Sequence, residues 1–139
     1  MNWVAWSLLS AAFAAATAIL AKKGVAAVDS NVALAIRTSV ILVFTWAIAL
    51  SRGSLSTIGD LSQRNWVFLT LSGCATGLSW LCYFRALQLG EASRVASIDK
   101  LSVVLVILFS AIFLREHLTL NKGFGGLLIV AGALLIARE

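Results

Sequence analysis

Ser93-Arg-Val-Ala-Ser-Ile-Asp-Lys-Leu-Ser-Val-Val-Leu-Val-Ile-Leu-Phe-Ser-Ala-Ile-Phe-Leu114 is an apolar run that carries Asp99 and Lys100 side by side in its interior. Its length decides the fold, since an α-helix needs about 20 predominantly apolar residues to cross the hydrocarbon core of a bilayer. Its two charges point to function. An ionisable side chain inside a span costs roughly 2.5–3.5 kcal/mol on insertion scales and persists where it has a partner or a purpose.

The rest of the chain repeats the apolar pattern. Of 139 residues, 60% are hydrophobic, 12% are charged and none is proline; the mean hydropathy is +0.97. A soluble domain of this length needs a more polar exterior. Apolar runs over about 3–21, 31–50, 65–87, 93–114 and 118–137 predict an all-α membrane protein with five transmembrane helices, forming one domain over 1–139. The first run reads as a retained span, because it exceeds the apolar core of a signal peptide, lacks a preceding basic stretch and is followed by further spans. The last reaches bilayer length when 118–122 is included, with Lys122 snorkelling to the surface.

Polar residues within the runs fall on particular faces. In the second span, introduced by Asp29-Ser30-Asn31 as a helix-start signal, Arg37, Thr38 and Thr45 form one stripe. In the third, Ser72, Thr76, Ser79 and Tyr83 recur at helical spacing with Trp80 beside them, and Gly73 and Gly77 offer a close approach to another backbone. In the fourth, Asp99, Ser102 and Ser110 lie within about 80° of one another and Lys100 is turned about 100° away. The second and fourth spans enter from the same side, so Arg37 and Asp99 sit at a similar depth of roughly 8 Å. An Arg37–Asp99 ion pair is therefore expected, with Lys100 competing. Such a pair reads either as a structural clamp or as a switch lining a transport cavity.

Several function classes lack support. Cys74 and Cys82 lie inside the third span without metal or redox spacing and read as packing residues, and the lone His117 reads as a helix-end surface residue. The net charge of +5 comes from residues scattered over span ends, with no aromatic-interleaved basic cluster for nucleic acid. No nucleophile with a base, metal site, phosphate loop or cofactor motif is present, so neither an enzyme nor a cofactor is expected. Arg52, Arg64, Arg115 and Lys122 fall on the N-terminal side, against Lys22, Lys23, Arg85, Arg94 and Arg138 on the other. This near balance points to insertion in both orientations, whereas counting Arg37 and Lys100 favours a cytoplasmic C-terminus.

The segments Tyr83-Phe-Arg-Ala-Leu-Gln-Leu-Gly90, Ala96-Ser-Ile-Asp-Lys-Leu-Ser102 and Phe113-Leu-Arg-Glu-His-Leu-Thr119, followed by a glycine-patterned last span, together resemble the EamA domain of the drug/metabolite transporter superfamily. Arg37 and Glu116 match positions where such domains commonly carry Arg and Glu. Members of that family typically join two inverted repeats into ten spans and export metabolites or toxic compounds. The resemblance implies one repeat here, in a bacterial inner membrane, paired as an antiparallel homodimer that imitates the ten-helix transporter. An odd span number suits that arrangement, because the second copy must be inverted to stand for the opposite repeat.

The implied function is secondary transport of a metabolite or drug-like small molecule by alternating access. A non-transporting or flippase-type membrane subunit is the alternative. Asp99 would act as the proton or ion switch, Arg37 and Lys100 as its partners or as anchors for an anionic group, and Ser72, Thr76, Ser79, Trp80, Tyr83 and Ser102 as cavity residues. Gly125, Leu128, Ile129 and Gly132 resemble the dimerisation pattern of the small multidrug resistance branch. Two departures stand out: alanine near Ala14, where that branch carries its coupling glutamate, and Asp99-Lys100-Leu101, where many EamA domains have proline.

Overall fold

Asp29 starts the second helix by accepting hydrogen bonds from the backbone N–H groups of Asn31 (2.9 Å) and Val32 (3.2 Å), which would otherwise lack partners at a helix start. The computed structural model describes residues 2–138 and is helical throughout, with no strand among the described residues. The helices are α1 (Trp3–Gly24), α2 (Ser30–Ser51), α3 (Gln63–Leu89), α4 (Ala92–Asp99), α5 (Leu101–Phe113) and α6 (Leu120–Ala137), with a short 3-10 helix at Ser54–Asp60. Among the described residues, five segments are long and apolar enough to cross a membrane, with α4 and α5 together supplying one of them, Ala92–Phe113. At most 11% of any such segment is buried, so the apolar side chains largely face outward, as lipid requires.

Two packed units make up the chain, one of residues up to Leu20 with those from Leu89 onward, the other Ala21–Gln88. In the second unit, α2 ends at Ser51, and two residues later Gly53, whose φ of 66° lies in the left-handed region that glycine adopts without strain, leads into the 3-10 helix. Val25, Leu34, Phe84 and Leu87 are buried in this unit, as is Ser30. The turn between α1 and α2 is held to the end of α3 by polar contacts. Gln88 donates through Nε2 to the carbonyls of Val28 (2.7 Å) and Val25 (3.3 Å), and Lys22 Nζ donates to the Leu87 carbonyl (2.6 Å). Arg85 Nη1 donates to Gln88 Oε1 (2.9 Å), which fixes the direction of the amide.

Substituting Gln88→Glu would keep the contact with Arg85 but turn an acceptor toward two carbonyls. Each buried group left unpaired costs about 1–3 kcal/mol. The variant is expected to melt several degrees below the parent in detergent, and an unchanged melting temperature would mean that this clasp contributes nothing.

In the first unit α6 packs on α4 and α5. Gly126 and Ala133, seven residues apart, are buried on its inner face; a Cβ at Gly126 would meet Ile107 Cδ1 and Val104 Cγ2 at 3.9 Å. The helix begins at Leu120 and not at 118, because Thr119 caps it by accepting from Lys122 N–H (3.3 Å). Lys122 does not simply snorkel: its ammonium pairs with Glu116 (3.4 Å) and donates to the His117 carbonyl (3.2 Å).

Arg115 has a φ of 55°, the left-handed conformation, and from there the Glu116 N–H reaches back to the Ser110 carbonyl (3.2 Å). A side chain in that conformation costs roughly 1–2 kcal/mol relative to the right-handed one. Arg115→Gly is accordingly expected to raise the unfolding midpoint by a comparable amount, and a lowered midpoint would show that the arginine side chain outweighs its strain.

The fourth span is not one continuous helix. Its apolar length predicts a single rod over 93–114, whereas the structure interrupts it at Lys100, between α4 and α5. Proline is not the cause. The Lys100 N–H is shared between the carbonyls of Ala96 (3.3 Å) and Ser97 (3.2 Å), and Val103 N–H bonds to Lys100 O (3.0 Å), an i to i+3 contact that tightens the turn. The lysine backbone, at φ −67° and ψ −11°, departs from helical geometry mainly in ψ.

Candidate transport site

In the unit Ala21–Gln88, Arg37 projects from the second turn of α2 and lays its guanidinium over the ring of Trp80, 4.0 Å from the centroid. The Phe84 ring lies 5.4 Å away and is itself buried. Both aromatic residues come from α3, four positions apart and so on one face. Delocalised guanidinium stacks well on aromatic planes, and the contact is worth about 0.5–2 kcal/mol depending on desolvation. It offsets part of the cost of a cation within a span. Arg37 makes no ion pair with a carboxylate among the described residues.

Along the same helix, Thr76 donates its hydroxyl to the Ser72 carbonyl (2.9 Å). This local bond explains how a hydroxyl is tolerated on an apolar helix, and it leaves the oxygen lone pairs available. The same device recurs on α2, where Thr45 donates to the Ile41 carbonyl (2.9 Å) and Ser39 to that of Ala35 (3.0 Å). Ser72, Thr76 and Ser79 are exposed on the surface of the chain, while Trp80 and Tyr83 are half-buried. The structure therefore brings Arg37 to Trp80 and arrays the hydroxyls along the helix that carries that ring.

In the other unit, Asp99 and Lys100 sit at the helix interruption and pair with each other at 3.6 Å. The carboxylate side chain is 40% exposed and the ammonium side chain 58%. Ser102 is exposed in the first turn of α5. Arg94 pairs with Glu91 at 3.3 Å near the start of α4. Asp99 thus takes its chain neighbour as its ion-pair partner and Arg37 takes aromatic rings, each within its own unit.

On α6, Leu128 is exposed and Gly125, Ile129 and Gly132 are half-buried. A Cβ at Gly125 or Gly132 would meet nothing within 4 Å. The same holds at Gly73 and Gly77, so neither glycine pair is filled by this chain's own helices.

Sequence reasoning did not single out the aromatic platform under Arg37 or the roles of Lys22, Arg85 and Gln88. The first left a signal. Counted from Ser30 and back from Leu89, Arg37 and Trp80 lie about 10 and 13 Å from helix ends on the same side of an antiparallel hairpin.

Five segments long and apolar enough to cross a bilayer define an integral membrane protein. Comparison with known proteins agrees: residues 1–138 match the model of the EamA-like transporter family, and the chain belongs to that family. It is 53% identical over 136 residues to the "Uncharacterized transporter in cobO 3′ region" of Sinorhizobium sp, covering 98% of this chain and 96% of that one. It is 35% identical over 115 residues to "Uncharacterized transporter YvbV" of Bacillus subtilis (strain 168), covering 83% of this chain but 38% of that protein. No solved structure matches the chain significantly. Family membership and transporter-named relatives make this a small-molecule transporter and not an enzyme.

Proposed function

We propose that the protein is a small secondary exporter of a metabolite or drug-like molecule in a bacterial inner membrane, coupled to protons through Asp99 and working by alternating access. The observation that carries this reading is the ion pair of Asp99 and Lys100 at the interruption of the fourth span. Interrupted spans that place charged groups and free backbone groups at membrane depth are a recurrent way of building transporter binding sites. Protonation of the carboxylate would release Lys100 and change the charge at that point between the two access states.

Two copies inserted antiparallel would form the complete transporter. In support, this chain matches little more than a third of the Bacillus relative but nearly all of the Sinorhizobium one, so family members occur at both lengths. The near balance of basic residues on the two sides suits insertion in both orientations. Gly125, Leu128, Ile129 and Gly132 would form the seam, and Ser72, Thr76, Ser79, Trp80, Tyr83 and Ser102 the cavity wall.

The test is reconstitution of the purified chain into proteoliposomes with an imposed pH gradient and a panel of labelled metabolites. Uptake should appear for at least one solute and vanish when a protonophore collapses the gradient. Flux that persists unchanged after collapse would sink proton coupling, and no flux for any solute would sink the transport reading.

A further inference from the structure

We infer that the transported molecule carries a carboxylate, and that the N–H edge of Arg37 receives it. The inference rests on the transporter reading above and deepens it by naming a substrate class.

Two independent observations lead there. The first is a charge balance. Among the described residues, the spans hold Arg37 in the interior of α2 and the pair Asp99 and Lys100 at the interruption of the fourth, while Arg85, four residues before the end of α3, bonds the Gln88 amide. Elsewhere, Arg94 has Glu91 and Lys122 has Glu116, while Lys22, Lys23, Arg52 and Arg64 lie at or near helix ends, within reach of headgroups and water. Asp99 takes its chain neighbour Lys100, and among the described residues no carboxylate pairs with Arg37. The unit holding Arg37 contains only two acidic residues: Asp29, engaged in capping α2, and Asp60, at the end of the 3-10 helix. A cation inside a span calls for a counter-charge, and among the described residues no carboxylate of its own unit pairs with Arg37.

The second observation is the geometry of Arg37 itself. The guanidinium carbon lies 4.0 Å from the Trp80 ring centroid and 5.4 Å from that of Phe84, and none of the N–H donors bonds a carboxylate among the described residues. Those donors form a fork whose spacing matches the two oxygens of a carboxylate, a planar bidentate match that an ammonium cannot reproduce. The Trp80 ring extends the platform, so a flat apolar body attached to the carboxylate gains stacking surface beside it. A cationic solute would meet the Arg37 charge and be repelled.

The experiment uses three probes of equal size and different charge: benzoate, benzamide and benzylamine. Thermal unfolding of the purified full chain in detergent reads binding, because a ligand that binds the folded form alone raises the midpoint. Benzoate is expected to raise it, and benzamide and benzylamine to leave it unchanged. Arg37→Gln should lose the benzoate response, and Arg37→Lys, which keeps charge but loses the fork, should weaken it by roughly tenfold or more. Equal responses to the three probes, no response to benzoate, or a benzoate response that survives in Arg37→Gln would overturn the inference. The wild-type comparison stands even if the glutamine variant fails to fold. Flux through proteoliposomes separates the two layers. Gradient-driven flux of amines but not of benzoate overturns the carboxylate inference and leaves the transporter standing; benzoate binding without flux of any solute supports the anion site and removes the transporter.

Discussion

Replacing Asp99 with Asn is expected to reduce gradient-driven uptake in proteoliposomes to the level of empty vesicles while leaving solute exchange across the same membrane intact. Exchange returns the carrier loaded and needs no net proton movement, so it survives loss of a group whose task is coupling. The fold should tolerate the change. Asp99 and Lys100 are both well exposed on the chain, and pairs of that kind contribute about 0–1 kcal/mol to stability. A structural clamp predicts the opposite pattern, with uptake, exchange and melting temperature falling together. Asp99→Glu, which keeps a titratable oxygen at slightly longer reach, should restore part of the coupled flux. Wild-type uptake in the asparagine variant would end the coupling role of this residue.

On the antiparallel pairing proposed above, Gly132→Leu is expected to dissociate the two copies and, with that, to abolish uptake. In a single chain the position is open, since a Cβ there meets nothing within 4 Å, so the added side chain has room in the monomer. At a packed seam it would force two backbones apart. Overpacking costs about 1–3 kcal/mol, which corresponds to roughly a 5- to 150-fold weaker association. Cross-linking in membranes or native mass spectrometry in detergent reads the result directly. Gly126→Leu is the contrasting variant, because Val104 and Ile107 already stand at contact distance there. It should lower the stability of the chain itself. A Gly132→Leu protein that remains dimeric and active would place the seam elsewhere.

The two glycine positions illustrate which parts of the structure were legible in the sequence. A seven-residue spacing of small residues on the last span is plain from the amino acids alone. Two such pairs occur one position apart, Gly125 with Gly132 and Gly126 with Ala133, and the pattern does not say which of them the chain fills itself. Rotation of α6 about its axis makes that choice, placing Gly126 against Val104 and Ile107 of α5 and burying Ala133. The fourth span is a similar case. Its length and apolarity were readable, but its interruption arises from backbone bonds at Lys100 that no proline or glycine announces.

Arg37 shows why partner assignment was harder than span assignment. Depth along a helix follows from counting residues, and by that count Arg37 and Trp80 lie at a similar level of their hairpin. Depth says nothing about azimuth. The structure turns Arg37 toward α3, onto Trp80 and Phe84, and gives Asp99 its own neighbour Lys100. Gln88 was hidden for a related reason. A single amide near the end of an amphipathic-looking segment suggests solvent, whereas it in fact closes the turn between α1 and α2 through the carbonyls of Val25 and Val28.

By itself the sequence determined the class of the protein, the number of spans, their approximate ends and the family, because bilayer thickness imposes a length and a composition that each segment must meet independently of the others. The tertiary structure alone decided where the fourth span breaks, which rings support Arg37, what holds the first turn to α3 and which face of α6 is inward. Those choices depend on how apolar cylinders rotate against each other. Spans that are apolar on nearly every side carry little periodic signal to specify that rotation in advance.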